Sequence, residues 1–219
     1  MAQPCVAVVG GTGQQGRGLA QRLALAGFPV IVASRDAERA AAAVAAWPAS
    51  ARPQRTDENG AAIAAADVVV LAIPFASADG ILQEHQARFK RECLVIDVTV
   101  PVVVADGVLS LATVEEGSAA EHVRAKLPPH VGLAATFKTI PAHVLDDLGH
   151  PLDCDEFVCG DSAESRSRAL GYVQAIEGLR AIDVGPLSRA RALEQMTVLA
   201  IAINRRHKIR DARFKVIGL

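Results

Sequence analysis

The residues CVAVVGGTGQQGRGLAQRLALAGFPVIVASR, numbered 5–35, combine three features in a fixed order. An apolar run at 5–9 is typical of a buried strand, a Gly-rich turn follows it, and a stretch at 16–27 has the pattern of a helix. The turn matches G-x-G-x-x-G in the context that this motif requires, after a strand and at the start of a helix. The six residues of the motif are Gly11, Thr12, Gly13, Gln14, Gln15 and Gly16.

Each part of this unit has a physical role in holding a dinucleotide. One glycine permits the tight turn, one lets the backbone approach a pyrophosphate, and the last lets helix and strand pack closely. The N-terminus of the helix presents unpaired N–H groups and a partial positive charge to the phosphates. We therefore predict that residues 11–16 bind a dinucleotide; a Gly-rich turn without a ligand is the alternative.

The end of the second apolar run indicates which dinucleotide fits. An NAD-binding chain places Asp or Glu there to accept the ribose hydroxyls, whereas this chain has Ser34 and Arg35, with Arg39 one helical turn further on. A guanidinium can bind a 2′-phosphate through paired, charge-assisted hydrogen bonds. The sequence thus predicts NADP, with Asp36 as the cap of the next helix. A solvated Ser-Arg pair on a loop is the alternative.

Apolar runs without polar alternation recur along the chain, and they are typical of parallel strands covered by helices on both faces. These runs lie at 5–9, 29–33, 68–73, 93–98 and 131–137. Helical periodicity marks the segments at 16–27, 36–46, 58–66, 77–90 and 114–127. The alternation predicts an α/β fold, a doubly wound parallel sheet of the Rossmann type.

The last third of the chain has a different pattern, with strands expected at 155–160 and 179–185 and helices at 162–178 and 186–207. Pro186 would stand near the first turn of the last helix. We predict an NADP-binding domain over residues 1–140. A small C-terminal α+β annex over 141–219 would complete the substrate site and form a dimer interface.

Within the last helix, residues 196–203 are apolar on every side except at Thr197. A helix of this kind is expected to be buried on all sides. Its cover could be its own core, a ligand or a second subunit.

Length and composition exclude several classes of protein. The 219 residues include 23 Lys and Arg against 24 Asp and Glu, which gives a net charge of −1 and argues against a nucleic-acid or membrane-surface partner. No apolar run reaches the roughly 18 residues that span a bilayer, so a soluble, cytoplasmic protein is expected. The four cysteines lack the spacing of a zinc site and are predicted to be core thiols, with no metal bound. They are Cys5, Cys93, Cys154 and Cys159.

Polar catalytic motifs are missing from the sequence. The single tyrosine, Tyr172, is followed four residues later by Ile176, which excludes the Y-x-x-x-K proton donor of short-chain dehydrogenases. None of the six histidines forms an evident pair with a Ser, Cys or carboxylate, and we interpret them as solvated. A hydride transfer between two ring carriers needs no catalytic acid, because the protein mainly holds the rings face to face. We therefore assign no catalytic residue.

Several further segments carry a resemblance that covers nearly the full chain. They are AIPF at 72–75, FKTIPA at 137–142, CGDSAESRSRAL at 159–170, GLRAIDVGPLSRARALEQMT at 178–197 and VIGL at 216–219. Together with the glycine turn, these segments resemble the coenzyme F420-dependent NADP oxidoreductases. The resemblance implies reversible hydride transfer between NADPH and the deazaflavin F420, in a Rossmann domain with a small C-terminal domain, as a homodimer.

The resemblance also implies a set of contacts for each ligand. The phosphates of NADP would contact Thr12, Gly13, Gln14 and Gln15. The 2′-phosphate would be held by Ser34, Arg35 and Arg39. The nicotinamide side would be lined by Ile73, Pro74, Val100 and Ala142. The deazaflavin would lie near Lys138, Ile140 and Thr197.

Two positions depart from the family pattern, Lys138 in place of a histidine and Gln195 in place of a serine. Lys138 could pair with the anionic ring or phosphate of the coenzyme, could indicate a different acceptor, or could face solvent. Two other functions stay open. One is an NADPH-dependent reductase of an imine or carbonyl, which would need a proton donor. The other is a non-catalytic NADP-sensing module, because GGTGQQGRG also looks like NmrA-type redox sensors.

Overall fold

Ten strands are present in the computed structural model, which describes residues 3–105 and 107–219. Residues 1, 2 and 106 of the predicted first domain lie outside these ranges. The strands are β1 (Val6–Val9), β2 (Val30–Ser34), β3 (Arg55–Glu58), β4 (Val68–Leu71), β5 (Leu94–Asp97), β6 (Val102–Ala105), β7 (Val108–Leu111), β8 (Gly132–Ala135), β9 (Cys154–Gly160) and β10 (Leu179–Pro186).

Eight α-helices accompany the strands in the described ranges. They are α1 (Gln14–Leu25), α2 (Ala37–Ala45), α3 (Asn59–Ala65), α4 (Ala78–His85), α5 (Ala119–Lys126), α6 (Ala142–Asp146), α7 (Ala163–Gln174) and α8 (Ala190–His207). Strands and helices alternate through most of the chain, as the apolar periodicity predicts.

One eight-stranded sheet contains all the strands except β6 and β7, in the order β10-β9-β8-β5-β4-β1-β2-β3. The six strands from β3 to β8 in this order are parallel. The order reverses direction between β1 and β4, and ligands bind at such a switch point in open α/β sheets. The predicted doubly wound Rossmann sheet is confirmed.

Helices cover both faces of this sheet. Val6 and Val8 point to the face covered by α1, α2, α6 and α7, whereas Ala7 and Val9 point to the face covered by α3, α4, α5 and the start of α8. All four strand residues are completely buried. This two-sided burial explains why the strands read as continuous apolar runs.

The C-terminal segment adds its two strands to the same sheet. β9 pairs antiparallel with β8, and β10 pairs parallel with β9. The annex therefore lengthens the sheet on the side of β8, and α8 returns across one face of it. Because the two segments share one sheet, the boundary at residue 140 stays a prediction.

Three strands and one α-helix were not predicted from the sequence. The helix is the short α6, which follows Pro141. β3 is a short, half-exposed edge strand with the polar sequence RTDE, which lacks an apolar pattern. β6 and β7 form a separate antiparallel hairpin whose valines are largely exposed. Pro186 ends β10 and does not lie in the first turn of the last α-helix, because a 3₁₀ turn at Leu187–Arg189 precedes α8.

Three of the four cysteines are core thiols, as predicted, whereas Cys5 is only partly buried. All four are free, and Cys93, Cys154 and Cys159 are buried, which raises the pKa of each thiol to about 12. In residues 3–105 and 107–219, no group of three or more His, Cys, Asp or Glu side chains could hold a metal ion. No helix in these ranges has both the length and the apolar character needed to cross a bilayer.

Candidate active site at the carboxyl end of the sheet

A cleft of about 540 Å³ opens at the carboxyl ends of β1, β4, β5 and β8. It lies at the switch point of the strand order, where the fold predicts a ligand. The cleft brings together ten of the predicted site residues: Gly13, Gln14, Gln15, Ile73, Pro74, Val100, Lys138, Ile140, Ala142 and Thr197. Gly11, Thr12, Gly16, Ser34, Arg35 and Arg39 lie outside its lining.

The glycine turn packs so tightly that side chains are excluded from it. A Cβ on Gly16 would lie well inside van der Waals contact of the Gly10 carbonyl oxygen. Gly10 has φ of +79° and faces the Ala72 carbonyl, so this residue, which lies just before the motif, makes the left-handed turn. The turn thus holds β1 and α1 close to the end of β4.

α1 begins at Gln14 without a side-chain cap. Its N-cap residue, Gly13, has extended backbone (φ −73°, ψ 159°) and, as a glycine, has no side-chain oxygen that could accept from the first amides. The N–H groups of the first turn therefore point toward the cleft without such a partner, which is the arrangement that binds phosphate.

Gln15 connects this turn to the floor of the cleft. Its Nε2 donates to the Phe137 carbonyl oxygen at 2.9 Å, across 122 residues of sequence. Phe137 has φ of +56°, a left-handed conformation that costs a non-glycine residue of order 1–3 kcal/mol, and its ring is completely buried. The side chain of Gln15 thus has a structural partner, while its main chain stays at the start of α1.

The predicted 2′-phosphate residues surround the end of β2. Ser34 is the last residue of β2, and Arg35 and Arg39 are exposed. The prediction that Asp36 caps the next helix is confirmed, because its Oδ1 accepts from the Arg39 amide at 2.9 Å. This bond fixes the start of α2 between the two arginines.

The side chain of Lys138 is completely buried, so the interpretation that it faces solvent is wrong. Its Nζ donates to Asp97 Oδ2 at 2.7 Å and to the Thr99 carbonyl. Glu194 Oε1 lies 3.9 Å away on α8. This buried polar cluster, formed by Asp97, Lys138 and Glu194, joins the ends of β5 and β8 to α8 just behind the cleft.

Thr197 holds α8 against the same loop. Its Oγ1 donates to the Lys138 carbonyl at 2.8 Å, and both residues line the cleft. Because the ammonium of Lys138 is engaged inside the protein, the cation itself is not a free group on the cleft wall. Contact of Lys138 with a deazaflavin stays a prediction, and the lysine main chain is what the loop presents beside Thr197.

Two buried carboxyl groups near the cleft were missed by the sequence analysis. Glu156 Oε2 accepts from Thr139 Oγ1 at 2.9 Å, and Glu156 Oε1 accepts from the Lys138 amide at 3.2 Å. Glu194 accepts from the Ala119 amide at 2.9 Å. Burial raises the pKa of Glu156 and of Glu194 to about 7. Both could have been found from the sequence, because Glu156 lies inside an apolar strand and Glu194 lies next to the apolar run of the last helix.

The interpretation of the histidines as solvated residues without carboxylate partners is wrong for three of them. His85 is buried, and His150 Nδ1 lies 2.8 Å from Asp147 Oδ2. His122 has two carboxylate partners. Its Nδ1 lies 2.9 Å from Glu116 and its Nε2 lies 2.7 Å from Asp79, while its ring packs edge-on against Phe75. Burial opposes the charged form, but hydrogen bonds to the two carboxylates raise the pKa of His122. Glu116 lies 6 residues before His122 in sequence, but Asp79 lies 43 residues before it, so only the folded structure brings both carboxylates to the ring.

The 196–203 segment of α8 is not buried on all sides, contrary to the expectation. Leu199 is half exposed, whereas Thr197, Ala200 and Ile201 line the cleft. One side of the segment therefore lines the cleft, and its role as a ligand wall stays a prediction.

The fold and the cleft define a class, the Rossmann proteins that bind a dinucleotide and a second ligand at the switch point of the sheet. Solved structures share this architecture. One of a putative F420-dependent NADP reductase from Arthrobacter sp. FB24 covers 96% of this chain and 98% of its own, with a TM-score of 0.80 at 24% identity. A 3-hydroxyisobutyrate dehydrogenase from Mycobacterium tuberculosis covers 93% and 64%, with a TM-score of 0.66 at 18% identity.

Sequence comparison is more specific than the fold. Residues 5–101 match the family model described as NADP oxidoreductase coenzyme F420-dependent. The F420-dependent NADP reductase of Methanothermobacter thermautotrophicus is 37% identical over 221 residues, covering 98% of this chain and 95% of the relative. That of Methanocaldococcus jannaschii is 33% identical and covers 98% of each. The chain belongs to the family of F420-dependent NADP oxidoreductases.

Proposed function

We propose that this chain transfers hydride between NADPH and the deazaflavin coenzyme F420. The observation that carries the proposal is one continuous cleft, which begins at the uncapped start of α1 and continues over Ile73, Val100 and Ile140. A dinucleotide whose phosphates lie at the start of α1 would reach this apolar shelf with its nicotinamide. The relatives at 33–37% identity are F420-dependent NADP reductases, which supports the same pair of substrates.

When both substrates are bound, a hydride with its electron pair leaves nicotinamide C4 for the deazaflavin ring, which also takes a proton from solution. The protein contributes contact and orientation rather than acid–base chemistry, since rings held about 3–3.5 Å apart gain most of the available rate advantage. In this proposal the floor residues Ile140 and Ala142 and the opposite wall at Ile73 and Val100 keep water away from the rings.

The ligand contacts implied by the family are part of the proposal. Main-chain groups of Thr12, Gly13, Gln14 and Gln15 would bind the phosphates. Ser34, Arg35 and Arg39 would bind the 2′-phosphate. Ile73, Pro74, Val100 and Ala142 would contact the nicotinamide, and Lys138, Ile140 and Thr197 would lie beside the deazaflavin. The C-terminal segment from residue 141 would complete the second half of the site through α8.

We extend the proposal to a homodimer in the cytoplasm. Three valines of the β6–β7 hairpin are substantially exposed, Val103 at 41%, Val104 at 62% and Val108 at 65%, together with Leu199 of α8. Exposed apolar side chains clustered on one element, as on this hairpin, are typical of protein–protein interfaces. Four free thiols are usual in a reducing compartment.

The proposal is tested by turnover of F420 with NADPH and with NADH, followed by the absorbance of the oxidised deazaflavin. The wild type should bleach F420 with NADPH at a far lower KM than with NADH. In R35A the KM for NADPH should rise roughly 10- to 100-fold, because a charge-assisted bond of about 1.5–3 kcal/mol is removed. NADH serves as the internal control, and its KM should not change. No turnover of F420 would overturn the function, and an unchanged KM for NADPH in R35A would overturn the 2′-phosphate site.

A further inference from the structure

The end of α8 and the chain segment that follows it are strongly basic, although the whole protein has a net charge of −1. Residues 205–215 contain six Lys and Arg side chains and one acid, Asp211. Arg205, Arg206 and His207 are exposed in the last turn of α8. Neither the binding of NADP phosphates at α1 nor the apolar shelf makes use of this charge.

The backbone after α8 turns so that part of this charge faces the cleft. Lys208 takes the left-handed conformation that ends the helix (φ 54°, ψ 35°). Asn204 then fixes the returning segment, because its Nδ2 donates to the Arg210 carbonyl at 3.2 Å and its Oδ1 accepts from the Ala212 amide at 2.9 Å. The side chain of Asn204 therefore fixes the main chain on both sides of Asp211, and with it the position of Arg210.

Arg210 is exposed and belongs to two adjoining depressions. It lines the cleft on the same wall as Thr197, and it also borders a neighbouring hollow of about 510 Å³. His143 is shared by both depressions as well, while His150 and Arg213 lie only in the hollow. A ligand too long for the cleft would leave it over Arg210 and His143.

The nearby carboxylates have other partners. Asp147 Oδ2 lies 2.8 Å from His150 Nδ1, and Asp211 Oδ2 lies 3.9 Å from the Arg213 guanidinium. These contacts leave Arg210 as the exposed cation at the junction of cleft and hollow. A fixed cation beside an open path selects an anion of the ligand that passes it.

We propose that Arg210 and the hollow beyond it bind the anionic tail of the deazaflavin substrate. This inference rests on the proposed function. F420 carries a phosphodiester and several carboxylates on a flexible chain attached to its ring. With the ring on the shelf near Ile140 and Thr197, that chain must leave the cleft, and the exit toward the hollow is the basic one. The hollow would thus bind the tail, while the cleft binds the ring.

The experiment compares F420 with the tail-less 8-hydroxy-5-deazariboflavin as hydride acceptors, with NADPH as donor. In the wild type the KM for the tail-less compound should exceed that for F420 by tenfold or more. R210E should raise the KM for F420 at least tenfold and leave the KM for the tail-less compound and for NADPH unchanged. R91A, an exposed arginine at the opposite end of β5, is the matched control and should behave as wild type. Added salt should raise the KM for F420 more in the wild type than in R210E.

The outcomes separate this inference from the function on which it rests. No turnover of either acceptor by the wild type would remove the proposed function. Turnover of both acceptors with equal KM, or a KM for F420 that R210E leaves unchanged, would overturn the tail site alone. A rise in the KM for NADPH in R210E would also overturn it, because Arg210 would then serve the dinucleotide.

Discussion

The buried polar cluster behind the cleft makes the stability of the protein depend on one lysine. Replacing Lys138 by Met keeps the length of the side chain and removes its charge. Asp97 would retain its bonds from the Thr99 amide at 3.1 Å and from Thr99 Oγ1 at 2.7 Å, but would lose its only cation within 4 Å in the described residues. K138M therefore leaves an uncompensated carboxylate in a site with no exposure to solvent.

The magnitude follows from this burial. Removing one partner of a buried ion pair costs about 3–5 kcal/mol, a large share of the roughly 5–15 kcal/mol that stabilises a folded domain. For a chain of this size, each kcal/mol lowers Tm by about 2–4 °C, so K138M should melt roughly 6–20 °C below the wild type. Arg17 supplies the contrast, because its ion pair with Asp146 is partly exposed and should be worth about 1 kcal/mol or less.

The free energy of unfolding of wild type, K138M, R17A and the double variant D97N/K138M would be measured by urea denaturation at pH 7. K138M should lose several times more stability than R17A. D97N/K138M should recover part of the loss, because it removes the carboxylate left without a partner. The reasoning fails if K138M lies within 1 kcal/mol of R17A, or if the double variant is no more stable than K138M.

Two further predictions concern the glycine turn and the buried carboxyl groups. G16A should lose about 1–3 kcal/mol of stability and bind NADPH more weakly, because the new methyl meets the Gly10 carbonyl. G171A in α7, where a Cβ meets no atom within 4 Å, is its control and should be at least as stable as wild type in urea. Because the pKa of Glu194 is about 7 in the folded protein and near 4.5 when unfolded, the folded state binds more protons between these values. The free energy of unfolding should therefore fall as pH rises through this window. It should fall less steeply in E194Q, whose amide oxygen can still accept from the Ala119 amide. Equal slopes for wild type and E194Q in urea titrations from pH 5 to 8 would contradict this.

Local features of the chain were sufficient to predict the frame of the molecule. The strands β1, β2, β4, β5 and β8 and their helices follow from apolar runs and helical periodicity, which act over a few residues. The cap at Asp36 follows from a bond over three residues. β3 and the β6–β7 hairpin escaped prediction because they bury little, so no apolar pattern marks them.

Interactions between distant segments required the folded structure. The sheet order places Asp97 and Lys138 side by side across 41 residues. Because of this placement, Lys138, which was expected near a ligand or solvent, forms a buried ion pair with Asp97. The contact of His122 with Asp79, across 43 residues, has the same origin, as does the position of Arg210 at the cleft.

The sequence by itself determined that a dinucleotide turn opens a doubly wound sheet, because glycine sterics and apolar periodicity are short-range properties. The tertiary structure decided which charged groups are buried behind the cleft and which face its mouth. That choice depends on the order of the strands and the path of the chain after α8, and a residue type alone does not contain this information.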